Sequence, residues 1–220
     1  KETALSYAVA NGNLEGVKIL IQLGADPFIV DCAGRNCFAD SIIYGQNEIF
    51  DYLLECFKDK FNPNWTEELT GNTYLMYCAC TDNVDLFYKL WELGTDPNAE
   101  NKVGLTILSF AAVWNADKLI DELYKLGKKF DNENVNFLGN TVPAIFSLVG
   151  DPNGEAGISC ETLKKILELE PDLLKLKYTE NEIQYSLFSF VAIYSNRIDI
   201  LRFLYENYKF DIWEELSNGI

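Results

Sequence analysis

The sequence predicts an all-α solenoid of about six stacked helix-turn-helix units joined by extended turns, and three observations carry that reading. First, a helix-capping residue followed by an apolar one recurs in steps of roughly 33 residues: Thr3-Ala4-Leu5, Asn36-Cys37-Phe38, Thr73-Tyr74-Leu75 and Thr106-Ile107-Leu108. Second, each motif is followed by an apolar segment with three- and four-residue spacing, the signature of an amphipathic helix. Third, most of those segments stop at a glycine, namely Gly24, Gly94 and Gly127. A single helix pair cannot bury its own apolar stripe, so neighbouring pairs must stack into one core.

The elements follow in order. Thr3, Asn36, Thr73, Thr106 and Thr141 are residue types whose side chains accept a backbone N–H bond from a helix's first turn. Leu5, Phe38, Leu75 and Leu108, with Ala8, Ala111 and Ala112, give the first helix of each unit an apolar face. Gly12 and Gly45 suit the positive φ that ends such a helix abruptly. The second-helix stripes read Leu14, Val17, Leu20, Ile21; Ile49, Leu53, Leu54; Leu86, Leu90, Leu93; and Leu119, Leu123, Leu126. In the fifth unit a helix is expected to open at Thr141-Val142-Pro143, with Leu163, Ile166, Leu167 and Leu169 on the next. The sixth pairs Leu187–Tyr194 with Ile198–Tyr205. The units run 1–30, 31–62, 69–100, 101–133, 136–174 and 178–210, in one elongated domain. Residues 211–220 are a terminal cap or the start of a further unit. Turn-rich insertions fall at 58–71 and 150–157. The chain opens at Lys1, without Met and directly on a cap, as an excerpt of a longer polypeptide or a processed product would.

Asp31…Gly34, Gly104-Leu105-Thr106, Gly139-Asn140-Thr141, Gly24-Ala25-Asp26-Pro27 and Gly94-Thr95-Asp96-Pro97-Asn98, all in register with the period, resemble the ankyrin repeat. The resemblance extends over nearly the whole chain. The units depart from the family pattern in two ways. The histidine that the family carries on its first helix is replaced by Ser6, Ala39, Met76 and Ser109, and the proline after the capping Thr by Ala4, Cys37, Tyr74 and Ile107. What the resemblance implies is a protein–protein interaction scaffold whose partner lies in a concave groove lined by turn tips and first-helix ends.

Composition narrows the chemistry. The chain has no histidine, which removes Ser-His-Asp and Cys-His nucleophile systems and the usual zinc sets. The 34 acidic residues are spread over every segment, so no pair stands out as a glycosidase-type dyad. Phosphate-cradling glycine motifs are absent, and the glycines sit at helix ends on the repeat period. The chain is therefore read as no enzyme, with no catalytic residue, cofactor or metal. The cysteines, Cys32, Cys37, Cys56, Cys78, Cys80 and Cys160, are expected to be buried or half-buried free thiols in a reducing compartment. The same compartment argument leaves the acceptor motif Asn64-Trp65-Thr66 unglycosylated. No apolar run reaches the roughly 18 residues of a membrane span and the residues show no signal-peptide pattern, so no membrane span is expected. A net charge of −16 repels nucleic acid and anionic lipid. The expected partner is a protein, one with a basic segment if the charge steers binding and does not only keep the solenoid soluble; by itself the chain is expected to be a monomer.

Mapping the resemblance residue by residue places Arg35, Lys102, Leu105, Phe137 and Leu138 at turn tips. Tyr44, Val113, Trp114 and Tyr194 fall at first-helix ends. Together they form the candidate partner-binding set, because several are apolar where the family pattern leaves solvent. Two readings of the whole remain open. One is a free-standing adaptor or inhibitor. The other is the recognition domain of a larger protein whose chemistry lies elsewhere. The abundance of Asn, Ile, Lys, Tyr and Phe is what AT-rich coding sequence produces, and it suggests an effector that an intracellular bacterium delivers into the host cytosol.

Overall fold

The computed structural model describes residues 3–130, 133–135, 141–149, 158–180 and 183–208. The chain divides into two compact units, Lys1–Lys102 and Val103–Ile220. No helix among the described residues is long and apolar enough to cross a membrane.

The first unit holds three helix pairs: α1 (Ala4–Ala10) with α2 (Leu14–Gln22), α3 (Cys37–Ile43) with α4 (Asn47–Phe57), and α5 (Tyr74–Cys78) with α6 (Val84–Glu92). First helices stack on first helices, α1 on α3 and α3 on α5. Thr3, Asn36 and Thr73 each stand in extended backbone and accept a bond from their helix's first turn, as expected of caps. Where the family has histidine, Ser6 instead closes a capping box with Thr3, its Oγ accepting from the Thr3 N–H at 2.8 Å. The core is narrower than the sequence stripe: Val17, Ile49, Leu53, Leu86 and Leu90 are buried, whereas Leu14, Leu20, Ile21, Leu54 and Leu93 are half-buried.

The insertion at 58–71 is an aromatic clasp. Its Phe61 and Trp65 stack on Tyr74, with centroids 5.4 and 4.9 Å away and planes within 14° and 21°. Tyr74, in the family's proline position, is thus buried among rings. Its hydroxyl accepts from Asn36 Nδ2 at 2.8 Å. The buried Glu67 carboxylate accepts from the amides of Leu69 and Thr70 and from the Thr70 hydroxyl, which closes the turn. It lies so close to Gly34 that a Cβ there would come within 2.7 Å of Glu67 Oε1.

The second unit contains α7 (Ile107–Val113) and α8 (Asp117–Lys125), a hairpin of β1 (Glu133–Val135) and β2 (Thr141–Pro143), α9 (Ala144–Val149) and α10 (Cys160–Leu169), a second hairpin of β3 (Tyr178–Glu180) and β4 (Ile183–Tyr185), and α11 (Leu187–Tyr194) with α12 (Ile198–Tyr208). The hairpins correct the all-α expectation. They pair antiparallel, Asn134 opposite Val142 and Thr179 opposite Gln184. Thr141 is likewise no helix cap, because it lies in β2 and α9 starts only at Ala144. Val142 precedes Pro143, and a residue before proline is pushed out of the α region into extended backbone. Leu169 is exposed and so leaves the expected stripe. Leu163, Ile166 and Leu167 are buried as read.

A left-handed residue follows the first helix in the pairs from α1–α2 through α7–α8, whereas α11 ends on Ser195 in extended backbone. Gly12 and Gly45 have φ of 68° and 66°, as the sequence predicts. Asp82 and Asn115 hold the corresponding places at 50° and 54°. Asn and Asp are the side chains that tolerate this region best after glycine. All six cysteines are free thiols. Cys37 and Cys78 are buried, but Cys32 and Cys56 are exposed, which corrects the expectation for those two.

Candidate partner-binding surface

The candidate residues take their places from the capping pattern. Tyr44 is the C-cap of α3 and Trp114 that of α7, each followed by a left-handed residue that turns the chain away. The turn leaves the ring at the helix end in solvent, 46% exposed for Tyr44 and 54% for Trp114. In the second unit the turn after Trp114 is fastened by Asn115, whose Oδ1 accepts from the Ser159 N–H at 2.8 Å. Val113 and Leu105 are half-buried.

The first unit brings Arg35 and Tyr44 together in one cavity of about 180 Å³, lined by Ser6, Tyr7, Ala10, Asn11, Asp31, Arg35, Asp40 and Tyr44. Its wall is built from the turn that precedes α3. Asp31 Oδ1 accepts from the amides of Ala33 and Arg35 at 2.8 and 2.9 Å, an arrangement that holds the turn shut. Arg35 then reaches Asp31 Oδ2 at 3.3 Å through Nη2 and Asp40 Oδ1 at 3.2 Å through Nε. Burial alone would lower the Arg35 pKa, but Asp40 and Asp31 outweigh it and raise the guanidinium above its ordinary value. Arg35 therefore stays charged and fixed to the wall.

The other candidates have different surroundings. Lys102 is exposed, donates through Nζ to the Glu68 carbonyl and packs against Gly71, so it braces the 67–71 turn. Tyr194 is half-buried in a ring cluster with Phe190 and Tyr185, and its hydroxyl donates to Glu180 Oε2 at 2.6 Å. Phe137 and Leu138 lie outside the described residues. The sequence reading missed Tyr7, Asp31 and Asp40 as site residues. A signal for two of them was present, since Tyr7 and Asp40 stand at the same distance from the caps Thr3 and Asn36. No group of three or more His, Cys, Asp or Glu side chains that could hold a metal exists among the described residues.

Comparison with known proteins agrees with the period and the caps. The family model for ankyrin repeats (3 copies) matches residues 1–64. The chain is 24% identical over 159 residues to the putative ankyrin repeat protein L371 of Acanthamoeba polyphaga mimivirus, a match that covers 67% of this chain and 17% of that protein. With recurring caps, left-handed helix ends and stacked helix pairs behind these matches, residues 1–64 carry ankyrin repeats and the chain as a whole is similar to an ankyrin repeat protein.

Proposed function

We propose that the chain is a protein–protein recognition module that binds its partner through the groove side formed by turn tips and first-helix ends. The observation that carries this reading is the repeated exposure of an aromatic ring at one repeat position, Tyr44 in the first unit and Trp114 in the second. Evolution of a merely stable stack has no use for large rings in solvent at helix ends, whereas aromatic anchors concentrate binding energy in interfaces. The net charge of −16 favours a partner with a basic segment and disfavours nucleic acid. The setting we propose is the cytosol of a host cell, with the module acting as a delivered effector. The second reading, a recognition domain of a larger protein, draws support from the match covering only 17% of the relative's length.

The test is capture of partners from a eukaryotic lysate on the immobilised chain, followed by affinity measurement with Trp114→Ala. The variant is expected to melt like the parent, because the ring is 54% exposed, and to bind the captured protein more weakly by about 2 kcal/mol. A folded variant with undiminished affinity would place the partner on another surface.

A further inference from the structure

The 180 Å³ cavity in the first two repeats has a lining that selects for one kind of ligand. Two carboxylates, Asp31 and Asp40, with side chains only 6% and 4% exposed, share a single guanidinium, that of Arg35. The formal balance of the lining is one negative charge, held where water screens poorly and Coulomb attraction is correspondingly strong. At the mouth stand two rings from successive repeats, Tyr7 at 58% and Tyr44 at 46% exposure. Tyrosine faces attract cations and offer an alkyl chain apolar contact. Ser6, Ala10 and Asn11 complete the lining with small, uncharged side chains, which leaves room for a charged head group and the methylenes behind it.

We propose that this pocket takes the cationic end of a lysine or arginine side chain projecting from the partner protein. The inference rests on the groove reading above and names what that part of the groove recognises. An anion entering the pocket would find Arg35 already shared by two carboxylates, so repulsion dominates. A neutral apolar group would desolvate the same carboxylates without compensation. A protein cation meets neither obstacle. It also satisfies the long-range field of a chain with 34 acidic and 18 basic residues.

The test is an NMR titration of the full chain with octalysine at physiological salt, with the fully acetylated peptide alongside. Octalysine is expected to shift the amides of Tyr7, Ala10, Asn11, Arg35 and Tyr44, and the acetylated peptide is expected to leave them in place. Tyr44→Ala changes no charge and removes an exposed ring, so it preserves the field; it is expected to weaken octalysine about threefold to thirtyfold. Glu15→Gln, an exposed acid outside the cavity lining, is expected to change affinity by less than about twofold. Asp40→Asn is expected to weaken binding further, and if it unfolds the chain, Tyr7→Ala replaces it as the second pocket variant. Shifts scattered over the acidic surface, with Tyr44→Ala binding like the parent, would overturn the proposal. If that happens while Trp114→Ala still loses the captured protein, the groove reading stands and only the cation assignment falls. If octalysine fills the pocket while Trp114→Ala binds normally, the cation assignment stands and the anchor in the second unit falls.

Discussion

Asn36 shows how one side chain can serve two repeats. Its Oδ1 accepts from the Ala39 amide at 3.0 Å to cap α3, and its Nδ2 donates to the Tyr74 hydroxyl at 2.8 Å, tying the second repeat to the third. The residue is buried, so removing the amide leaves both the helix end and the phenol without a partner and without water. Asn36→Ala is expected to cost about 2–4 kcal/mol in urea denaturation, the sum of a lost cap and a stranded hydroxyl. Tyr74→Phe alone should cost about 1 kcal/mol, and the double variant should fall short of the sum of the two. Full additivity would show that the bond between the repeats contributes nothing. The cap was legible in the sequence, because the residue type and its place before an apolar helix declare it. The bond to Tyr74 was not, since nothing local to Asn36 says which residue the next repeat will set against it.

Helix pairs were legible for the same reason that the caps were: a 3.6-residue period is written within one element and survives without knowledge of its neighbours. The two hairpins were not, because strands of three residues, such as Tyr178–Glu180 against Ile183–Tyr185, are too short for alternation to stand out. The clasp formed by Phe61 and Trp65 was read only as an insertion, since its stacking on Tyr74 is a long-range contact. Of the candidate site, exposure of Tyr44 and Trp114 follows from register along the repeat, whereas the charge arrangement around Arg35 depends on how a turn and two helices meet. The second-helix register carries its own test. Leu90 in α6 and Leu123 in α8 are fully buried, one in each unit. Replacement by Ala leaves a cavity and is expected to cost about 2–5 kcal/mol for either residue. Because each repeat contacts only its neighbours, hydrogen exchange should accelerate first in the helices beside the substitution and only later elsewhere. Melting curves that overlay the parent would refute the assigned stripe.

At the scale of the molecule, charge and proton chemistry set the response to solution conditions. With no histidine, the chain lacks the one side chain that ordinarily titrates between about pH 5 and 8. Folding stability is therefore expected to be nearly flat from pH 6 to 8. Above that range the buried thiols and phenols take over. Burial, reinforced by Asp40, Asp26 and Asp31, pushes the Cys37 thiol from its ordinary 9.0 up to about 12. Burial raises Cys80 to about 11 and Tyr77 to about 12, and moves Cys78 and Tyr74 in the same direction. In each case the folded state holds its proton more tightly than the unfolded chain does. Below the unfolded pKa both states are protonated and this contribution to stability is whole. As pH rises past about 9 the unfolded chain sheds protons that the fold retains, and stability falls by roughly 1.4 kcal/mol per pH unit for each group so affected, until the folded pKa is reached. Urea midpoints measured at intervals from pH 6 to pH 10.5 should form a plateau followed by a steepening decline. Thiol labelling at pH 8 should modify the exposed Cys32 and Cys56 first and reach Cys37 and Cys78 only on unfolding. A step in stability between pH 6 and 8, or prompt labelling of Cys78 in the folded chain, would mean that the packing around the first helices is looser than these buried thiols require.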